Sequence, residues 1–585
     1  MDEQVKGEAS KTFGSSCVAA EDNRNKPTYC VTDVPPWYFC IFLALQHYLT
    51  AFGGIISIPL ILSEGLCLQH DSLTQSRLIN TIFFVSGLCT ILQVTFGVRL
   101  PILQGGTFSL LTPAMALLSV PELKCPAWTQ NSTLVNTSSP VFIEVWQTRI
   151  TTLQGSIMVA SVLQVLVGFS GLIGFLMRFI GPLTIAPTVS LVGLSLYDSA
   201  GEKAGSHWAI SVLTMTLIIL FSQYLRRVPI PVPAYMPVCS LATHHLLKIL
   251  PIYFQKLNFQ YDLTRKSQYG YLARTDVKGN ALIEASWFIF PYPGQWGIPT
   301  VSLAGVFGIM AGIICSMIES VGDYHTCARL SGAPRPPKHA INRGIGVEGI
   351  GSLLAGAFGT GNGTTSFCEN IAALDITKVG SRTVILLTGF FMILMGMLGK
   401  IGAIFTTIPT PVLGGMFLIM FGVISAAGIS NLQYTDMNSS RNVFIFGFSM
   451  FSALVIPNWI TKYPSYLQTG VKEVDQVLTT LLTTNMFVGG FLGFFLDNTI
   501  PGTKLERGLL GLEKLQLEDS GSNLGTEEVY NLPFGITSYL RSQSWVRYIP
   551  FCPREDHKSQ SEDNIMPQSQ KSEDSSPVVT KQTAV

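Results

Sequence analysis

The chain is poor in charge. Asp, Glu, Lys and Arg make up 12% of its 585 residues, about half of the roughly 25% found in an ordinary soluble domain, and this excludes a typical water-soluble enzyme. Neither sign is in surplus, with 37 Lys and Arg against 36 Asp and Glu, so no broad attraction to nucleic acid is expected. The 11 cysteines are scattered, with no Cys-x-x-Cys pair and no zinc-type Cys/His spacing. Neither a metal site nor a disulfide scaffold is therefore expected. The first 35 residues lack a hydrophobic core followed by a cleavage site, so no removable signal peptide is read there. What the chain does have is apolar surface: 48% hydrophobic residues, 54 glycines, 32 prolines and a mean hydropathy of +0.39. Such a chain is too apolar for disorder and too long for one soluble core. It reads as an integral membrane protein.

Apolar runs long enough to cross a bilayer, about 20 residues each, fall near 37–63, 78–98, 104–120, 151–170, 172–197, 206–225 and 229–250. A second set falls near 299–324, 343–358, 361–376, 383–403, 409–428, 442–458 and 476–498. The organisation read from them is an amino-terminal tail (1–36), a first seven-span set (37–250), a polar loop (251–298), a second seven-span set (299–498) and a carboxy-terminal tail (499–585). With both tails in the cytosol, Arg99, Arg226, Arg227, Arg329, Arg335, Lys338, Arg343, Lys378 and Arg382 all fall on the cytosolic side, as the positive-inside rule requires. The same count puts loop 121–150 outside, where Asn131 and Asn136 open two glycosylation sequons. The sequons at Asn362 and Asn438 fall in the membrane and the cytosol and are read as chance.

The last tail is rich in Ser, Gln, Glu, Asp and Lys and is expected to be largely disordered. Its end, Thr583-Ala584-Val585, suits addition to a PDZ-domain sheet edge, although an ordinary chain end reads the same way.

Each half contains one stretch too rich in glycine and polar residues for a lipid-facing helix. The first is Pro101-Ile-Leu-Gln-Gly-Gly-Thr-Phe-Ser109, and the second is Gly359-Thr-Gly-Asn-Gly-Thr-Thr-Ser-Phe-Cys-Glu-Asn370. Matching positions in two halves point to an inverted repeat whose broken helices meet near the bilayer midplane. Unpaired backbone there has to be buried in protein or line a wet cavity. Glycines that only allow close helix packing are the plainer reading, but the neighbouring acids favour a cavity.

An acid near the bilayer centre costs at least about 2.5 kcal/mol on insertion scales, so it usually faces a cavity or a partner. Glu319 and Asp323 stand four residues apart on the eighth span and therefore share one face. Glu369 and Asp375 lie on the tenth, and Gln46-His47 interrupts an apolar run on the first. Glu348 lies near Arg343 and is read as structural. His47 reads equally as a packing residue or as a site residue. Ionised carboxylates only accept hydrogen bonds, so Glu319 and Glu369 suit a neutral planar solute that presents N–H groups. Phe108 and Phe367, beside the acids, would stack on such a ring, worth about 1–3 kcal/mol per base by analogy with nucleic-acid stacking.

These residues resemble the nucleobase–ascorbate transporter family, in its animal sodium-dependent branch. The resemblance covers essentially all of 37–500. It is carried by Glu319-Ser-Val-Gly-Asp-Tyr324, Ala340-Ile-Asn-Arg-Gly344, Gly359-Thr-Gly-Asn-Gly363, Asn370, Thr377-Lys-Val-Gly-Ser-Arg382 and Gln46-His47. The tenth-span signature of the family, Gln/Glu/Pro-Asn-x-Gly-x-x-x-x-Thr-Arg/Lys, reads here from Glu369 to Lys378 with Ala372 in place of the glycine. Vitamin C transporters of this family have proline after serines where this chain has Phe367-Cys368-Glu369, whereas bacterial uracil permeases have glutamate. The resemblance implies an all-α polytopic membrane protein with fourteen spans in a seven-plus-seven inverted repeat. A core domain would hold spans 1, 3, 8 and 10, a gate domain would hold spans 5 and 12, and short β-strands would lie on broken helices 3 and 10. It also implies a nucleobase site of Glu319, Glu369, Asn370, Phe108, Ser109, Phe367, Gln46 and His47, with Na+ as coupling ion at Asp323. A homodimer, elevator-like alternating access and plasma-membrane localisation follow in the same way.

Ascorbate transport is the alternative, favoured by the overall frame and opposed by Glu369. An ion channel or anion exchanger shares the many-spanning topology, but the acids disfavour an anion path. An enzyme is not expected, because the Gly359–Gly363 run has neither the Lys-Ser/Thr of a phosphate loop nor a dinucleotide fingerprint.

Overall fold

The computed structural model describes residues 27–130, 135–176, 179–224, 279–503, 506–508, 527–541, 543 and 549–552. The expected seventh span, most of loop 251–298, Asn131 and Thr583–Val585 lie outside them. In the first half, two long helices, α1 (Trp37–Gly65) and α2 (Ser72–Thr95), lead into a three-residue strand β1 (Gln104–Gly106) and a short helix α3 (Phe108–Leu118). After these come α4 (Pro140–Ser170), α5 (Ile173–Leu176), α6 (Pro182–Leu194), α7 (Tyr197–Gly205) and α8 (Trp208–Ile219). Beyond the short α9 (Gly279–Glu284), the second half repeats the order with α10 (Leu303–Leu330), α11 (Lys338–Phe358), strand β2 (Thr364–Ser366) and short α12 (Cys368–Thr377). It continues with α13 (Arg382–Met397), α14 (Gly399–Thr406), α15 (Thr410–Ser430), α16 (Ser440–Lys462), α17 (Lys472–Thr483) and α18 (Asn485–Thr499), then α19 (Ile536–Arg541).

The repeat is visible in the lengths. The run of 29-, 24-, 3- and 11-residue elements in the first half is answered by 28, 21, 3 and 10 in the second. Both glycine-rich stretches therefore become a strand and a half-length helix, as the family resemblance implies. The two strands pair with each other, antiparallel, with Gly105 opposite Thr365 at the centre. Each strand thus satisfies backbone groups of the other half in a region where lipid offers none.

The elements sort into two bundles, each drawn from both halves. In the first, α4 packs along α11, α2 against α13 and α14, and α3 against α10. In the second, α15 packs on α6, α7 and α8, while α18 packs on α6 and α16. Small residues set these contacts: a Cβ on Gly168 would meet the backbone of Gly346, and one on Gly428 the backbone of Ser190. Such close approach is how helices associate without a hydrophobic driving force. The bundles meet chiefly where α17 lies on α10.

Six helices among the described residues are long and apolar enough to cross a membrane, and two bent pairs bring the number to eight. Several expected boundaries shift. The fourth span begins at Pro140 rather than near 151, because the Arg149 guanidinium that made its start look polar is satisfied by the carbonyls of Leu123, Lys124 and Val145. The fifth begins at Pro182 rather than near 172, after Gly171 ends α4 in the left-handed region at φ 77°. The last breaks by 81° between α17 and α18.

One expectation, about cross-links, is corrected. Cys67 and Cys125 form a disulfide across a 58-residue separation, because the fold returns the loop after α3 to the end of α1. That proximity leaves no trace in cysteine spacing. Short described stretches of the tail pack on the rest of the chain. Tyr530 is buried, and the Arg343 and Arg382 guanidiniums donate to the carbonyls of Tyr530 (2.7 Å) and Val529 (2.9 Å). Farther on, Asn342 donates to the Pro550 carbonyl and Phe551 meets Phe169 edge-on. These parts of 499–585 pack on the first bundle, where arginines donate to the carbonyls of Val529 and Tyr530.

Candidate functional site

The two half-length helices leave from opposite ends of the antiparallel β1–β2 pair and contribute their first turns to one site. Their first turns open on a narrow cleft between the bundles. From the first bundle come Phe108 and Ser109 of α3, Glu319 of α10, and Thr365, Ser366, Phe367, Cys368 and Glu369 around the start of α12. The second bundle contributes Val189 and Val192 of α6 and Ile424 of α15. The chemistry is thus on one bundle and an apolar wall on the other.

Local sequence accounts for the arrangement. Thr107 caps α3 by accepting from the Ser109 backbone N–H at 3.1 Å. The Phe367 cap position of α12 offers no side-chain acceptor, and Glu369 stands in the first turn, where the positive helix end favours an acid. Ser109 donates to Glu319 at 3.1 Å, and Cys368 lies 3.5 Å from the Glu369 carboxylate. Glu319 lies within electrostatic reach of Asp323, Glu369 and Glu348, so the cleft is strongly acidic. The Phe367 ring is held in a slot. A Cβ on Gly54 would come within 2.8 Å of it, and one on Gly105 within 2.5 Å. Phe108 packs edge-on against Phe421 of α15, with ring centroids 5.6 Å apart.

Of the residues read from the sequence, Phe108, Ser109, Glu319, Phe367 and Glu369 converge on this cleft. Asp323 stands behind it, accepting from the Ser366 hydroxyl at 2.6 Å. Asn370 turns away and donates to the Pro101 carbonyl at 3.2 Å, with the fully buried His47 beside it. Gln46 is buried on the same helix, and neither it nor His47 or Asn370 is among the lining residues. Asn136 is exposed, as a glycosylation acceptor requires, whereas Asn362 is buried and donates to the Thr107 carbonyl at 2.8 Å.

A buried polar layer behind the cleft was not anticipated. Thr365 receives the hydroxyl of Ser316 at 2.9 Å and stands 2.9 Å from that of Ser320. Glu348, read as a neighbour of Arg343, accepts instead from Tyr324, which in turn receives the Gln93 amide at 2.7 Å. In the amide orientation that satisfies both its ends, Gln104 of β1 donates to Glu348 at 3.0 Å and to the Thr365 carbonyl at 3.2 Å. The hydroxyl run Thr364-Thr365-Ser366 just before the acid was the available signal.

The comparisons agree with this architecture. The model of the Permease family matches residues 40–462. Solute carrier family 23 member 2 of Rattus norvegicus is 48% identical over 545 residues, covering 91% of this chain and 83% of that protein. Solute carrier family 23 member 1 of the same organism is 47% identical, covering 90% and 88%. Nucleobase-ascorbate transporter 1 of Arabidopsis thaliana is 35% identical, covering 88% and 96%. The chain is a transporter rather than an enzyme, a multi-pass membrane member of the permease family that holds the nucleobase–ascorbate transporters.

Proposed function

We propose that the protein carries uracil and related nucleobases into the cell, driven by sodium. The observation that carries this reading is the pair of acids, Glu319 and Glu369, set between the starts of two half-helices and beside the slotted Phe367 ring. Carboxylates that only accept hydrogen bonds match the N–H edge of a neutral base, and Phe367 supplies a flat apolar surface. Binding energy comes from hydrogen bonds to ionised groups, about 1.5–3 kcal/mol each. An anion in the same place would meet like charge.

Sodium enters as the second substrate. Asp323 with the hydroxyls of Ser366, Ser320, Thr365 and Ser316 forms an all-oxygen group of the kind that hard cations prefer. A cation there lowers the repulsion among the acids and favours the base-binding form, which is the differential affinity that coupling needs. The first bundle acts as the moving core and the second as the gate, in fourteen spans related by a seven-plus-seven inverted repeat. Movement is elevator-like, in a homodimer formed through the gate domains. The protein sits in the plasma membrane with both termini in the cytosol. Asn131 and Asn136 are the glycosylation sites, and Thr583–Val585 is a ligand for a PDZ domain.

Ascorbate is the second reading, because the plant relative, 35% identical, is named for both nucleobase and ascorbate. Uptake of labelled uracil with and without sodium, in competition with other bases and with ascorbate, separates the two. Competition by bases only, and only with sodium, is expected. Competition by ascorbate alone would favour the second reading.

A further inference from the structure

Among the described residues two ion pairs cross the boundary between core and gate, and both lie at the end that the proposed topology places outside. Lys203 of α7 pairs with Glu64 in the last turn of α1, their side chains only 9% and 23% exposed. Lys472 of α17 pairs with Glu122 at 3.1 Å, with 70% and 44% exposure. Solvent screening makes the second pair weak. The first is largely desolvated, so removing either partner leaves a charge without compensation. Nearer the cleft, the Thr112 and Ser195 hydroxyls meet at 3.1 Å across the same boundary.

The acids of the core side are braced. Glu64 and Glu122 each stand three residues before a half of the Cys67–Cys125 disulfide, so one covalent clip fixes the rim that carries both. Gly322 of α10 and Ala372 of α12 are exposed, as is the Cys368 thiol in the cleft, and a Cβ on Gly322 would meet nothing within 4 Å. The boundary is therefore held by ionic contact at its outer end.

We propose that the Lys203–Glu64 pair is an outer latch, which holds core and gate together while the cleft faces the cytosol and parts whenever it faces outside. The latch rests on the reading of the chain as an alternating-access carrier. Its test uses full-length protein at the cell surface and a membrane-impermeant cationic methanethiosulfonate applied outside, with labelling of Cys368 as readout and Cys368→Ser as the blank. Glu64→Gln and Lys203→Met are expected to speed labelling about three- to tenfold, the size of the shift toward the outward-facing form. The exchanged pair Glu64→Lys/Lys203→Glu should return toward the wild-type rate. Should the single variants not reach the surface, Glu64→Cys/Lys203→Cys joined by a bifunctional thiol linker should lose both outside labelling and uptake. Unchanged labelling in the single variants, or full transport by the linked pair, would overturn the latch. Labelling needs no substrate, so a wild type that ignores uracil would defeat the functional reading while the latch is still measured.

Discussion

The two broken segments have nearly the same backbone and opposite chemistry. Each is a three-residue strand followed by a half-length helix, and the strands pair about a common centre at Gly105 and Thr365. Yet β1 is Gln-Gly-Gly and β2 is Thr-Thr-Ser, and the helix after β1 presents Phe108 and Ser109 where the helix after β2 presents Cys368 and Glu369. The first segment supplies space and a neutral hydroxyl donor; the second supplies hydroxyls and charge. A symmetric scaffold thus positions an asymmetric site, and the substitutions with the largest effects should cluster on the second segment and on α10, which faces it.

That contrast can be broken in graded steps. Glu369→Pro, which places the residue of the vitamin C branch on α12, should reduce uracil uptake to background. Glu319→Gln keeps shape and removes the charged acceptor that Ser109 addresses, so uptake should fall about 10- to 100-fold, the range for a hydrogen bond to an ionised group. Asp323→Asn should remove most of the sodium stimulation while some sodium-independent uptake remains, and unchanged stimulation would reject the sodium assignment. Gly105→Ala tests the first segment. Its Cβ would press on the Phe367 ring from 2.5 Å, and overpacking of about 1–3 kcal/mol should appear as a lower melting temperature together with weaker uptake. Ser109→Ala removes one donor to the Glu319 carboxylate, a bond of about 1.5–3 kcal/mol that only positions the acid, so uracil affinity should drop less than in Glu319→Gln, with expression unchanged.

How much of this was legible in the sequence depends on the range of the interaction. The two broken segments could be read locally, because a cluster of glycines and polar residues inside an apolar run cannot continue as a lipid-facing helix. The i, i+4 pair Glu319 and Asp323 was likewise placed on one face by helix geometry alone. Partners across the chain were not legible. Glu348 sits five residues from Arg343, but the arginine turns to the carbonyls of Gly97 and Tyr530 while the acid turns to Tyr324. The slot around Phe367 is built by Gly54 and Gly105, hundreds of residues away. The docked tail was hidden for a related reason. Its composition is polar, but Tyr530 and Phe551 are single anchors that averages conceal.

The central claim is that an acidic cleft selects a neutral N–H-bearing ring. Its most direct test is transport by the purified protein in liposomes under an inward sodium gradient, with labelled uracil and labelled ascorbate measured side by side. Accumulation of uracil that collapses with the gradient, without accumulation of ascorbate, is the predicted result. Accumulation of ascorbate by a protein indifferent to uracil would contradict it.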